Sequence, residues 1–299
     1  FFGLGFETTM PSTALTVQQA EREGIRNFAL FCNHITIIPT IKAVLDSPDM
    51  QIDGFLGPGH VSMVIGSAPY RFIAARYGKP LVISGFEPLD VLQSVWMLLA
   101  QIDRGRCEIE NQYARVADGV GNTAALAAIS AVFELREFFE WRGLGSIDHS
   151  GVRMRERYAA WDAERRFPLP RQRIADPKAC QCGEVLKGVI KPWQCKVFGK
   201  ACTPETPLGA LMVSSEGACS AYIQYARRDE IAQIPSSGVA AARGSHRLVD
   251  DHEPAVDQTQ SGQALRVRFE LLLDAGGDIE LLRQEEIHDG GRGGRAHDR

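Results

Sequence analysis

Apolar runs and helical patterns alternate along the first 134 residues, and this alternation limits the possible folds more than any other feature. Strands with few polar residues are typical of parallel sheets that helices cover on both faces. Repeated strand–helix units therefore predict an α/β fold with a doubly wound, mostly parallel sheet or sheets. The predicted strands are 1–5, 27–35, 52–59, 80–85 and 107–116, and the predicted helices are 6–24, 38–48, 60–78, 86–105 and 122–134.

Two of the predicted helices have clear sequence signals. The helix 6–24 begins with Thr8 or Thr9 and Pro11, and Gly24 ends it. The helix 86–105 carries apolar residues at steps of three and four, which is the pattern of a face that packs on a core. That apolar stripe consists of Leu89, Leu92, Val95 or Trp96, Leu99 and Ile102.

Three of the predicted strands are followed by loops with polar side chains. Glu7, Thr8 and Thr9 follow the first strand, His60 follows the third and Glu87 follows the fourth. The carboxyl ends of parallel strands are where such sheets bind ligands, so these residues are candidates for one shared site. His60 is the best candidate for proton transfer because an imidazole titrates near neutrality. Alternatively, the glutamates only favour helix N-termini, by roughly 0.3–1 kcal/mol each, and the glycines only shape turns.

Composition and motifs exclude several classes of protein. The 299 residues are 44% hydrophobic and 23% charged with a net charge of -4, so no nucleic-acid surface is predicted. No run of 18 apolar residues occurs, so we expect no transmembrane helix. Neither GxGxxG nor GxxxxGK[ST] is present, which leaves a dinucleotide or P-loop site without support. The sequence starts FFGLG, like the interior of a strand, and we expect it to be a fragment of a longer chain.

Five of the seven cysteines lie within forty residues, separated by loops rich in proline and glycine. Such a segment builds little core by itself and is typical of chain that a metal centre or disulfides must order. Disulfides are disfavoured in an α/β chain of intracellular type. Zinc usually binds closely spaced cysteine pairs, whereas iron–sulfur clusters accept more varied spacings. The spacing favours a cluster but leaves zinc and no metal open for Cys182, Cys195, Cys202 and Cys219.

The remaining cysteines are predicted not to bind metal. Cys180 is one more than a four-thiolate site needs, and we interpret it as a spectator. Cys32 and Cys107 lie on predicted strands, where a cysteine is usually a small buried apolar residue. The spacing Cys32-x-His34 offers an alternative, in which these two side chains contact a metal.

Several long stretches follow one another in order over residues 1–226: GFETTMP, QIDGFLGPGHVSMVIG, PLVISGFEPLDVLQ, ENQYARV, EWRGLGSI, WDAERRF, CGEVLKGVIKP and GALMVSSEGACSAYIQY. Together they resemble the HypD family, maturation factors that help to build the active-site iron of nickel–iron hydrogenases. The resemblance implies α/β domains and a loop-rich domain with a [4Fe-4S] cluster. The cluster cysteines of the family correspond to Cys182, Cys195, Cys202 and Cys219.

The resemblance also implies an organisation and a function. We expect an α/β region at 1–150, a cluster region at 151–228 and an unrecognised tail at 229–299. The expected protein is a cytoplasmic scaffold with a redox role, whose cargo is an iron with cyanide and carbon monoxide ligands. Its expected partners are HypC, which shares the iron, and HypE, which delivers cyanide, with no nucleic acid and no membrane. The expected site residues, besides the cysteines, are Glu7, Thr8, Thr9, His60 and Glu87 on the cleft wall and Glu216 near the last cluster ligand.

The sequence departs from the family in two places. The family motifs Cys-Gly-Thr-His and Gly-Pro-Gly-Cys-Pro-x-Cys, whose thiols are thought to hold the iron, are absent from this sequence. The tail contains one strand-like stretch, LRVRFELLL, and two segments, 229–240 and 284–299, whose composition predicts disorder. The rival hypothesis is a zinc-stabilised α/β module that binds a small anionic metabolite.

Overall fold

The computed structural model describes residues 1–168 and 177–226 and the backbone of residues 269–271. The strands in these ranges are β1 (Phe2–Gly5), β2 (Phe31–His34), β3 (Gly54–Pro58), β4 (Leu81–Ser84), β5 (Ile109–Asn111), β6 (Phe133–Leu135), β7 (Phe138–Trp141), β8 (Gly145–Asp148), β9 (Val152–Met154) and β10 (Phe269–Leu271). The α-helices are α1 (Met10–Arg22), α2 (Ile37–Leu45), α3 (Gly59–Ile65), α4 (Arg71–Tyr77), α5 (Pro88–Asp103), α6 (Thr123–Val132), α7 (Ala163–Arg166), α8 (Cys182–Leu186), α9 (Ala210–Val213) and α10 (Ala218–Tyr225).

The predicted α/β fold with parallel sheets is confirmed. A parallel sheet has the strand order β10-β3-β4-β5, and β1 pairs with β2 in a second parallel sheet. Two antiparallel pairs, β6–β9 and the hairpin β7–β8, follow along the chain. The strand predicted within LRVRFELLL is confirmed as β10, whereas the predictions for 229–240 and 284–299 lie outside the described residues.

Helices cover both faces of the sheet that contains β3 and β4. Phe55, Leu81 and Ile83 pack on one face against a core that includes Ile41 of α2 and Ile73 of α4. The opposite face packs through Leu56 and Val82 onto Leu98 of α5. A further core, which contains Met10, Cys32 and Phe133, joins β2 and β6 to α1 and α6.

Three predicted elements are shorter or differently divided than expected. The single helix predicted at 60–78 divides into α3 and α4 because Gly66 adopts φ +76°. An ideal Cβ on Gly66 would lie 2.5 Å from the carbonyl oxygen of Gly119, so this backbone turn requires glycine. The predicted strand 107–116 retains only β5, because a turn starts at Gln112, and the predicted helix 122–134 ends where Phe133 enters β6.

The predicted apolar stripe of the helix 86–105 is partly confirmed, because Val95 and Ile102 pack beside Leu98 on the core, and wrong for its other end. Leu89, Leu92 and Trp96 are 78%, 66% and 65% exposed, whereas the buried positions include Asp90 and Gln101. Gln101 accepts a hydrogen bond from the backbone N–H of Glu108, and Asp90 pairs with an arginine described below. Hydrogen bonds to loops later in the chain therefore hold the polar side of α5 against the protein.

The cysteine-rich stretch 177–226 has little regular structure. The helices α8, α9 and α10 are connected by turns, and the buried core of this stretch consists of Val185, Cys202, Met212 and Cys219. Within the described residues, no helix is both long and apolar enough to cross a bilayer.

Candidate functional site

The cysteine-rich stretch brings five thiols to one small cavity. Its lining includes Cys180, Cys182, Cys195, Cys202 and Cys219, which come from four separate turns and helices. The other walls are mainly apolar, because valine, phenylalanine and methionine side chains complete the lining. The structure thus gathers all four predicted ligands, and Cys180 lies among them.

Glycines allow the thiols to approach one another. An ideal Cβ on Gly209 would lie 2.2 Å from Cys180 Sγ and 2.4 Å from Cys182 Sγ, so any side chain there would displace both thiols. The turn between β7 and β8 supports the same place, because a Cβ on Gly183 would lie 2.2 Å from the carbonyl oxygen of Gly143. The Gly-rich turn within EWRGLGSI therefore packs directly on the first cysteines.

Burial and hydrogen bonds raise the pKa of two of these thiols, those of Cys180 and Cys182. Burial raises the pKa of the Cys180 thiol to about 12, and Cys180 Sγ lies 3.1 Å from Cys182 Sγ. A hydrogen bond with Cys219, followed by burial, raises the pKa of Cys182. The backbone N–H of Leu208 donates to Cys202 Sγ at 3.4 Å. A metal that binds here must displace thiol protons, because thiolates are the ligands.

The donor set fits a thiolate-bound cluster in its chemistry. Thiolates are the usual ligands of iron–sulfur clusters, and the cavity offers five cysteines in a mainly apolar wall. The cavity measures about 10 Å³, which is room for about one water. In the part of the chain that the structure describes, no three His, Cys, Asp or Glu side chains are grouped so that they could hold a single metal ion.

A large cleft of about 740 Å³ lies beside the cysteine cavity. Phe6 and Val44 of the α/β region line one side, and Trp193 and Tyr222 of the cysteine-rich stretch line the other. Val185 lines both the cleft and the cavity, so one side chain separates them. The predicted site residue Glu216 also lines this cleft, as do Trp141, Arg142 and Tyr225, which sequence reasoning did not select.

Two other predicted site residues meet at the carboxyl edge of the sheet with β3 and β4. The His60 ring stacks on Phe86, with 4.0 Å between ring centroids, and Glu87 directly follows Phe86. Gly59 allows this approach, since a Cβ there would lie 2.3 Å from the carbonyl oxygen of Ser84. The loops that carry His60 and Glu87 therefore form one surface.

Sequence reasoning missed the ion pair beneath this surface. Arg115 donates to both carboxylate oxygens of Asp90, at 2.8 and 2.6 Å, and Gln112 donates to the same carboxylate at 2.7 Å. These hydrogen bonds, from Arg115 first and Gln112 second, lower the pKa of Asp90 to about 2. Arg115 also lies 3.5 Å from Glu87 and over the ring of Tyr113. The polar residues of ENQYARV are the sequence signal from which this ion pair could have been predicted.

Glu7, Thr8 and Thr9 lie at the end of β1, in a different sheet from the one that carries His60 and Glu87. The buried Glu7 carboxylate accepts a hydrogen bond from the backbone N–H of Ile37 at 3.0 Å, at the start of α2. Thr9 donates to the carbonyl oxygen of Phe6 and precedes α1. For Glu7 this matches the alternative in which a glutamate stabilises a helix N-terminus.

The cysteines outside the cavity differ from each other. Cys32 is buried as predicted, and burial raises its pKa to about 11. His34 is also buried, where its ring lies within hydrogen-bond distance of Thr9, Thr13 and the carbonyl oxygen of Gly5. The prediction for Cys107 is wrong: it is exposed and precedes β5, because the predicted strand starts two residues later than expected.

Comparison with known proteins identifies the family. The family model HypD, described as "Hydrogenase formation hypA family", matches residues 1–226. The "Hydrogenase maturation factor HypD" of Rhodobacter capsulatus is 62% identical over 229 residues, which are 75% of this chain and 61% of that protein. The proteins of the same name from Escherichia coli (strain K12) and Azotobacter vinelandii are 54% and 50% identical over 77% and 76% of this chain, respectively.

The match is long and includes every candidate site residue described above. The chain nevertheless spans only 61% of the Rhodobacter capsulatus and Escherichia coli proteins and 62% of the Azotobacter vinelandii protein. Because the family model covers residues 1–226, from β1 through α10, the chain belongs to the HypD family.

Proposed function

We propose that this chain acts in the maturation of nickel–iron hydrogenases, as a scaffold and redox partner in the assembly of the Fe(CN)₂CO group. The observation that carries the proposal is the gathering of five cysteines around one cavity in a member of the HypD family. The names of the relatives, "Hydrogenase maturation factor HypD", support the general role.

We assign a [4Fe-4S] cluster to Cys182, Cys195, Cys202 and Cys219. When bound, such a cluster supplies one-electron transfer. The chain supplies four thiolates, the apolar wall around them and the backbone N–H of Leu208 at Cys202 Sγ. Hydrogen bonds to sulfur and exclusion of water tune the potential of such a centre.

The cargo of the proposed reaction is an iron that carries cyanide and carbon monoxide. We assign its partners as HypC, which shares the iron, and HypE, which delivers cyanide, in the cytoplasm. The large cleft beside the cavity supports this assignment, because a partner bound there would lie one side chain, Val185, from the cluster ligands. His60 and Glu87 are the groups we assign to proton transfer, with Glu216 on the cleft wall.

Anaerobic purification tests the metal assignment. The chain is expected to be brown and to contain about four irons and four sulfides. Alanine at Cys182, Cys195, Cys202 or Cys219 is expected to abolish the colour, whereas Cys180→Ala, the matched control in the same cavity, should retain it. Full iron and sulfide content in Cys195→Ala would contradict the assignment. A colourless protein with bound zinc would instead favour the zinc-stabilised module.

A second experiment separates the cluster from the cargo. The thiols expected to hold the cargo iron are absent from this sequence, and oxygen ligands and imidazole suit harder ions. The chain alone is therefore expected not to restore hydrogenase activity in a strain without its own factor. Infrared bands of cyanide and carbon monoxide on the purified chain would contradict this, and Cys32 and His34 would then be the first ligands to replace.

A further inference from the structure

Helix α5 has apolar residues on two opposite sides. On one side, Leu98 is fully buried against Leu56 of β3 and Val82 of β4. With about 3.6 residues in each turn, Leu89 and Trp96 lie on the side opposite Leu98, and both are largely exposed. A helix with a single contact surface is polar on its outer side, so the apolar outer side of α5 indicates a second contact.

The spacing on the outer side is that of a coiled coil. Leu89, Leu92, Trp96 and Leu99 follow one another at steps of three, four and three residues. This is the heptad pattern by which one helix packs its side chains between those of another helix. We call these four residues the α5 seam. The seam is symmetric along the chain, so an antiparallel copy places Leu92 opposite Trp96 and Leu89 opposite Leu99.

The charges at the two ends of α5 favour a second copy of the same helix in the antiparallel direction. Glu87 is exposed at the N-terminal end of α5, and Arg104 is exposed at its C-terminal end. A twofold axis across the seam brings Glu87 of one copy within about one helical turn of Arg104 of the other, and does so twice. A parallel pair would place like charges together, and the helix dipoles also favour the antiparallel pair.

From the exposed seam and these complementary ends, we propose that two copies of this chain associate through antiparallel α5 helices. The seam contains four side chains, whereas stable interfaces bury about 800 Å² on each partner. The expected dimer is therefore weak and depends on concentration. Its existence depends neither on the cluster nor on the proposed maturation role.

The dimer would add a charge to the surface of His60 and Glu87. Glu87 lies 3.5 Å from Arg115 of its own chain, and it directly follows Phe86, on which the His60 ring stacks. Arg104 of the second copy would approach the same carboxylate from across the seam. This consequence rests on the proposed function, because that proposal assigns proton transfer to Glu87.

Sedimentation velocity of the full 299-residue chain under reducing conditions tests the dimer. The chain is expected to pass from monomer to dimer between about 1 and about 100 μM. Leu92→Lys places a charge in the seam and should raise the dissociation constant at least tenfold. Leu15→Lys on α1 is the matched control, because Leu15 is 56% and Leu92 is 66% exposed, and it should leave the dimer unchanged. Circular dichroism establishes that both variants fold.

Charge exchange tests the antiparallel direction. Arg104→Glu should raise the dissociation constant about two- to fivefold, since exposed ion pairs are weak. The double variant Glu87→Arg, Arg104→Glu should restore the wild-type value, because the two ends again carry opposite charges. A merely structural role of Arg104 would not give this restoration.

Three results would overturn the proposal. The first is a wild-type chain that remains monomeric at every concentration, which would leave the seam to a different polypeptide. The second is a dimer that Leu92→Lys weakens no more than Leu15→Lys, since another surface would then hold it together. The third is a double charge variant that associates as weakly as Arg104→Glu, which would exclude the antiparallel pair.

Discussion

Residues 1–168 and the cysteine-rich region, residues 177–226, are stabilised in different ways. The first buries large apolar residues such as Phe55, Leu81 and Ile83 between a parallel sheet and helices. Two of the four residues in the buried core of the second are cysteines, Cys202 and Cys219. Burial of apolar residues therefore accounts for the stability of the first region. The second region would gain most of its stability from a metal centre bound by its thiols.

The largest expected effect is the removal of that centre. Chelation of the proposed cluster under anaerobic conditions should loosen residues 177–226. The reason is that the free energy of cluster binding contributes to the folding free energy of these residues. The amides of the cysteine-rich region should then exchange with solvent faster, while those of β3 and β4 keep their protection. Hydrogen exchange with mass spectrometry measures both regions in one sample. Equal loss of protection in both regions would show that they unfold as one unit.

A pair of buried side chains sharpens the comparison at a smaller scale. Leu81 is 0% and Met212 is 1% exposed, one in each region. Leu81→Ala should lower the free energy of unfolding by about 2–5 kcal/mol, because it leaves a cavity in the main core. Met212→Ala is expected to leave the main transition in denaturant nearly unchanged and to reduce iron retention instead.

The two variants serve as controls for each other. Each shortens one buried apolar side chain to alanine. A difference between their effects on the free energy of unfolding is therefore due to the region that holds the side chain and not to the type of substitution. If Met212→Ala shifted the main unfolding transition as much as Leu81→Ala, the two regions would share one core.

The contact between the regions can be broken at one glycine pair. A Cβ on Gly183 would lie 2.2 Å from the carbonyl oxygen of Gly143, which is backbone and cannot rotate away. Gly183→Ala should therefore separate the β7–β8 turn from α8 and cost about 1–3 kcal/mol, as overpacking does. Thermal unfolding with iron analysis measures this change, which should also lower iron content.

Gly119→Ala is the matched control. The nearest atom to an added Cβ at Gly119 is Ser67 Oγ at 4.0 Å, so the methyl group meets open space. This variant should be neutral or more stable by up to about 1 kcal/mol. Equal destabilisation by the two variants would show that the Gly143–Gly183 contact has no special role.

The sequence predicted features that depend on local pattern. Apolar runs and Pro11 sufficed to predict the parallel α/β fold and the position of α1, and the crowding of cysteines predicted their common location. The buried face of α5 escaped prediction because Asp90 binds Arg115, which lies 25 positions later in the chain. The contact between Gly143 and Gly183 joins the β7–β8 turn to α8, forty residues later in the chain, and no local sequence pattern predicts it.

The division of the strands into separate sheets could not be predicted from local sequence pattern either. β1 and β3 are both short apolar runs that end near glycine, yet they pair in different sheets. Strand partners are chosen by tertiary packing, and a run of four or five apolar residues does not encode them. The site residue Glu7 was therefore expected beside His60 and Glu87, although its strand belongs to the other sheet.

The smallest expected effect is a pH dependence that belongs to the α/β region alone. His34 is buried at 1% exposure, and burial lowers the pKa of its imidazole below the ordinary value of 6.5. Below that value the unfolded chain binds a proton that the folded chain does not bind. The free energy of unfolding therefore rises with pH up to about 6.5 and falls as pH decreases below it, by at most about 1.4 kcal/mol per pH unit.

Denaturant unfolding between about pH 7.5 and about pH 5 measures this slope. His34→Gln should flatten it, because glutamine does not titrate. Residues 177–226 contain no histidine, so their hydrogen exchange should not acquire this pH dependence from a histidine of their own. An unchanged slope in His34→Gln would show that other groups cause the acid sensitivity. The buried imidazole would then be as readily protonated in the folded chain as in the unfolded one.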